Sequence, residues 1–92
     1  MKKEKVVITV LGVNRPGIMA NITGVIADYN CSVEDMTQTI IDDLFAMIII
    51  VDITDLKMDF ADFKEKLETK GDNMGIKIFV QHENVFRMMH RI

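Results

Sequence analysis

Residues 5–29 read KVVITVLGVNRPGIMANITGVIADY, and the change of hydrophobic period inside this stretch decides the fold. Up to Val13 the pattern is that of a strand apolar on both faces, with Val6, Ile8 and Val10 on one and Val7, Leu11 and Val13 on the other, as an interior strand requires. From Ile18 the period becomes helical, and Ile18, Ile22, Val25, Ile26 and Tyr29 form a single stripe. Between the two lies Asn14-Arg15-Pro16-Gly17, turn chemistry that carries a strand into a helix. A helix start leaves its first N–H groups without intrahelical partners, and these groups together with the helix dipole favour a carboxylate or phosphate. The turn is therefore the candidate binding loop, with Pro16 expected at the first helical position and Gly17 allowing close approach to the backbone. Gly24 in mid-helix reads either as a tolerated glycine or as a sign of a closely packed neighbouring backbone, across subunits included.

Outward from this unit, residues 31–41 mix Glu34, Asp35, Thr37 and Gln38 with apolar residues and read as an edge strand. Asp42-Asp43 makes a tight turn into a second interior strand around Met47-Ile48-Ile49-Ile50-Val51. Asp59 is placed to cap a second helix carrying Phe60, Phe63 and Leu67, with Gly71 ending it. Residues 76–81 alternate as a half-exposed edge strand, and a short helix is expected from Asn84. The order is βαββαβ plus a tail, an α+β ferredoxin-like sandwich: a four-stranded antiparallel sheet, two helices on one face, and one domain over residues 1–92. The other sheet face keeps apolar side chains, since neighbours along a strand alternate, and a homodimer is expected to cover them.

Composition narrows the function. The 92 residues carry a net charge of −3 and a pI near 5.2, without the basic footprint that nucleic-acid binding needs. One cysteine, Cys31, allows no internal disulfide and suits a reducing, cytoplasmic setting. No apolar stretch has the length of a membrane span, and Met-Lys-Lys-Glu-Lys leads into a strand pattern instead of a signal-peptide core. Neither His82 nor His90 stands in a metal-ligand or triad spacing, and the pairs Glu34-Asp35 and Asp42-Asp43 read as solvated carboxylates. No cofactor, metal or catalytic residue is expected. Val85, Phe86, Met88, Met89 and Ile92 read as an apolar tail docked on a partner subunit.

Val10-x-Gly12-x-Asn14-Arg15-Pro16-Gly17-Ile18, then Ile22-x-x-Val25-Ile26-Ala27, then Asn30-x-Ser32-Val33-Glu34-Asp35-Met36-x-Gln38, resemble the ACT domain, a small ligand-sensing module. Gln38-Thr39-Ile40-Ile41-Asp42-Asp43-x-Phe45-x-Met47 and Val85-Phe86-x-x-Met89-x-x-Ile92 are similar to a bacterial and archaeal group of stand-alone ACT proteins of about this length. The resemblance implies an amino acid held between subunits by the loop after strand one and the start of the neighbour's strand two. It assigns Asn14, Arg15, Pro16, Gly17 and Ile18 to one side of that site and Ser32 to the other, with Asn14 where serine-sensing domains carry a ligand-contacting asparagine. Gly12 stands where such domains have a ligand-contacting histidine, and Glu34 or Asp35 is available for an α-ammonium group. The expected function is a regulatory module that binds a small metabolite and signals to an unidentified protein partner. The alternatives are an assembly module with no ligand and an acylphosphatase-like enzyme. For the enzyme, Arg15 is suggestive, but the Gly-Val-x-Phe-Arg phosphate loop is missing.

Overall fold

The computed structural model describes residues 4–89. Its elements run β1 (Lys5–Val13), α1 (Ile18–Asp28), β2 (Ser32–Ile41), β3 (Leu44–Asp52), α2 (Phe60–Met74), β4 (Lys77–His82) and α3 (Glu83–Met89). The strands form one antiparallel sheet in the order β2-β3-β1-β4, so the two doubly apolar strands are the central ones and the two mixed strands are the edges. The βαββαβ order and short terminal helix match the ferredoxin-like expectation.

The core lies between the sheet and helices α1 and α2. Val6, Ile8 and Val10 from β1 and Met47, Ile49 and Val51 from β3 are fully buried there with Ile22, Ile26, Phe63 and Leu67 from the helices. Tyr29 meets Phe63 edge-on, ring centroids 6.4 Å apart, and joins the two helices. Val25 and Tyr29 pack at the margin of this core, so the α1 stripe is the buried one.

On the opposite face the register sets side chains in rows across the sheet. Val13, Leu44 and Ile41 form the row nearest the β1–α1 loop; below it come Lys77, Leu11, Ala46 and Thr39, then Phe79, Thr9, Ile48 and Thr37, then Gln81, Val7, Ile50 and Asp35. α3 packs back against β1 and β4, and Val7 is buried at that end of the face. The register shifts between Val33 and Asp35, an edge-strand bulge at Glu34 that resets which β2 residues face which way.

The end of α2 corrects the sequence reading. The helix passes through Gly71 and ends at Gly75, which has φ 74°; Gly75 N–H donates to the Asp72 carbonyl and Ile76 N–H to that of Gly71, the paired bonds of a glycine-terminated helix. Gly71 serves packing instead: a Cβ there would stand 2.8 Å from Ile78 Cγ1 and 3.2 Å from the Ile76 carbonyl oxygen. Gly12 likewise lets β1 pass Ile76, whose Cγ2 would be 2.6 Å from a Cβ at that position. Gly24 is a tolerated glycine within this chain, since nothing lies within 4 Å of where its Cβ would be. Asp59 occupies the N-cap of α2, as expected, but its side chain makes no capping bond. His90 and Ile92 lie outside the described residues, as do the side chains of Phe86 and Met89.

Alanine is the better helix former at both helical glycines by about 1 kcal/mol, yet opposite outcomes are expected. Gly71→Ala should lower stability by about 1–3 kcal/mol through overpacking, whereas Gly24→Ala should leave the protein equally or more stable by up to ~1 kcal/mol; urea unfolding of the two variants measures both.

Candidate functional site

The loop from Asn14 to Gly17 is held from both sides by the parts of the fold it passes. Asn14 N–H donates to the Asp43 carbonyl at 2.8 Å, joining the loop to the β2–β3 turn. Arg15 Nη1 donates to the Met74 carbonyl at 3.3 Å, and its guanidinium lies against Gly75, where a Cβ would stand 3.6 Å from both terminal nitrogens. A cation at a helix C-terminus meets the negative end of the dipole. Arg15 is thus turned toward the end of α2, and the acylphosphatase comparison loses the guanidinium it depends on.

Pro16 is not the first helical residue. Gly17, at φ 86° and ψ −1°, is the N-cap of α1, and the helix begins at Ile18. Proline followed by a positive-φ glycine is the sequence of a type II turn, which wins over a helical start because φ near 86° has no place inside a helix. The Gly17 carbonyl accepts two bonds from Asn21, from its backbone N–H at 3.0 Å and from its side-chain amide at 2.7 Å. Asn21 was not among the expected loop residues; its place one turn after Gly17 is the signal that would have found it.

At the start of α1 no side chain makes a capping bond, and no acidic residue occupies the first turn. The positive end of this helix is therefore offset by nothing of its own, and its first amides face the loop. The Ile18 side chain is buried in the core, which leaves its backbone N–H as the group that can serve a ligand. Asn14 is exposed and carries a neutral donor and acceptor. Beside the loop, a groove of about 410 Å³ runs between Leu11–Val13, Leu44 and the α2–β4 junction from Asp72 to Lys77.

Ser32 is at the other end of the molecule. It pairs with Asp52, which pairs with Lys5, whereas Asn14 follows Val13 at the opposite end of β1. Eight residue steps of strand separate the two levels, roughly 26 Å at the rise of an extended chain. Asn14 and Ser32 of one chain cannot touch a common small ligand. The bulge residue Glu34 reaches Lys5 Nζ at 3.8 Å, and the Asp35 carboxylate accepts from Met36 N–H at 2.8 Å. His82 packs its ring on Phe60, centroids 4.2 Å apart. Among the described residues no three His, Cys, Asp or Glu side chains gather into a metal-sized cluster, and no helix is long and apolar enough to cross a membrane.

Cys31 sits between α1 and β2, half-buried, and its N–H closes α1 by donating to the Ile26 carbonyl. Burial pushes its thiol pKa up, and the nearby negative charge of Asp52 adds to the effect. The thiolate is the reactive form, so a thiol reagent at mildly alkaline pH should label the native protein more slowly than the urea-unfolded chain.

With this loop, sheet order and helix layer in view, the relationships of the chain become informative. Residues 4–81 match the ACT domain, and the chain belongs to that family. It is 49% identical over 89 residues to a UPF0237 protein of Methanocaldococcus jannaschii, covering 97% of this chain and 99% of the relative. Its structure is similar to an ACT domain protein from Streptococcus pneumoniae, with a TM-score of 0.80, 33% identity and coverage of 92% of this chain and 96% of the other. A formyltetrahydrofolate deformylase from Pseudomonas syringae shares the fold over 89% of this chain and 28% of its own, at a TM-score of 0.80 and 14% identity.

The Arg15 contact has a measurable role. Arg15→Ala should destabilise the fold by about 0.3–1 kcal/mol through loss of the helix-end charge, with the loss shrinking as salt is added; thermal unfolding at low and high ionic strength distinguishes this from a loop residue without structural contacts.

Proposed function

We propose that this ACT domain is a regulatory module that holds a small amino acid at a homodimer interface, without catalysis. The observation that carries the reading is the separation of Asn14 from Ser32 combined with the state of β2. Every residue of β2 is exposed, Val33, Met36, Ile40 and Ile41 among them, and a long exposed edge with apolar side chains is a template for pairing. Two β2 edges paired antiparallel about a two-fold axis at Thr37 bring Ser32 of the partner subunit to the Ile41–Asp42 end of the strand, which is the level of the Asn14 loop. The arrangement completes two equivalent sites, each from the loop of one subunit and the β2 start of the other.

The chemistry of such a site fits a zwitterion. The uncapped amides of α1 suit an α-carboxylate, and Asn14 with Ser32 of the partner subunit supplies neutral hydrogen bonds. A ligand held only in the dimer favours dimerisation by linkage, which gives a small domain a response to pass to a protein partner. The competing reading is an assembly module whose loop is a turn and nothing more.

Thermal unfolding against the twenty amino acids and simple one-carbon metabolites separates them. A ligand at ~100 times its Kd stabilises the native state by about 2.7 kcal/mol, which for a domain of this size corresponds to a rise on the order of 10 °C. The sensor reading expects one such rise, its loss in Asn14→Ala, and retained dimerisation of that variant in analytical ultracentrifugation. A flat panel with an intact dimer would favour the assembly module, and a monomer under all conditions would end both readings.

A further inference from the structure

We infer that the groove between the end of β1 and the α2–β4 junction is a second small-molecule site, contained in one chain. It takes a zwitterion with an aliphatic body, the chemistry of a branched-chain amino acid. The groove uses neither the amides of α1 nor the β2 edge, so it is separate from the site proposed above.

The groove exists because the pairing of β1 stops early on one side. Asn14 N–H donates to the Asp43 carbonyl and Ile53 N–H to that of Glu4, each pair lying opposite in the β1–β3 register extended by one residue. Even-numbered residues of β1 therefore exchange their backbone bonds with β3, and odd-numbered ones turn theirs toward β4. β4 begins at Lys77, opposite Leu11. Val13 is the next residue of the odd set and would meet Gly75, but there the chain is still in the left-handed turn that closes α2. No backbone bond joins Val13 to that junction. Its N–H and C=O face the groove, a donor and an acceptor on one wall. Ile76, drawn close to β1 by Gly12, lines the groove with an apolar side chain.

The other side chains at this strand end supply both charges and an apolar bed. Leu11, Val13 and Leu44 line the groove and are each more than 40% exposed. Asp72 brings a carboxylate and Lys77 an ammonium; both are exposed, and among the described residues no ion pair joins them. A ligand that carries both charges forms a charge-assisted hydrogen bond with each. A free carboxylate or phosphate meets Asp72 as a like charge, and a simple amine meets Lys77 in the same way. The zwitterion sets its ammonium on Asp72, its carboxylate on Lys77 and Val13 N–H, and its side chain on Leu11, Val13 and Leu44. The volume of about 410 Å³ falls within the roughly 300–1,000 Å³ of small-molecule sites.

Titration of the full chain with L-leucine, L-isoleucine and L-valine, followed by the NMR shifts of the backbone amides, tests the site. At least one of the three is expected to produce saturable shifts centred on Val13, Gly75 and Lys77. The single-charge probes 4-methylpentanoate and isopentylamine should bind about tenfold or more weakly. Asp72→Asn and Lys77→Gln are each expected to weaken binding about tenfold or more with unchanged circular dichroism. Wild-type affinity in both variants, equal affinity for a single-charge probe, or no response to any of the three amino acids would overturn the groove site. Shifts confined to Gly17, Ile18, Met19 and Ser32 would also overturn it, while supporting the loop site. If the groove fills and no amino acid moves the loop amides, the groove site stands and the loop reading fails.

Discussion

β1 is the constraint from which the rest of this molecule follows. It is paired along its whole length with β3 and along most of it with β4, so no edge of it is free, and its residues are apolar on both sides of the pleat. One side is satisfied within the chain by α1 and α2. The other is satisfied only at one end, by α3. A small domain built on a strand of this kind cannot hide both faces with two helices, because a two-layer sandwich has only one interior. The apolar surface left on the second face is therefore a consequence of the central strand itself.

The same strand delivers the loop. Val13 ends at the β2–β3 turn, and the bond from Asn14 to Asp43 makes that turn the wall of the loop. Because β1 is held on both edges, the start of α1 is fixed relative to the sheet, and a ligand that meets its amides meets groups already oriented. Preorganised donors of this kind bind without first paying to order the backbone. The deformylase structure shares only the fold with this chain, and fold alone assigns no ligand. What favours the proposed sensor is the loop and the β2 edge.

Much of the architecture was legible in the sequence because it is governed by alternation. Val6 to Val13 and Met47 to Val51 declare themselves central by being apolar on both faces, and Glu34, Asp35 and Gln38 declare β2 an edge. The misread positions depend on contacts distant in sequence. Gly71 and Gly75 both follow a helical run, and only the position of Ile78 reveals that the first is a packing residue and the second the stop. Pro16 by its own φ suits a first helical position, whereas the left-handed backbone of Gly17 moves the start to Ile18. For the candidate site, the loop residues could be read because they are contiguous. That Ser32 belongs to the other end of the sheet follows from strand register, which local pattern does not specify.

The Arg15 tether has a further mechanical meaning. Its guanidinium rests on Gly75, the residue that ends α2 and turns the chain into β4, so the β1–α1 loop and the β4 edge share a single hinge point. The loop is therefore moored at both margins of the sheet, to the α2–β4 junction through Arg15 and to the β2–β3 turn through Asn14.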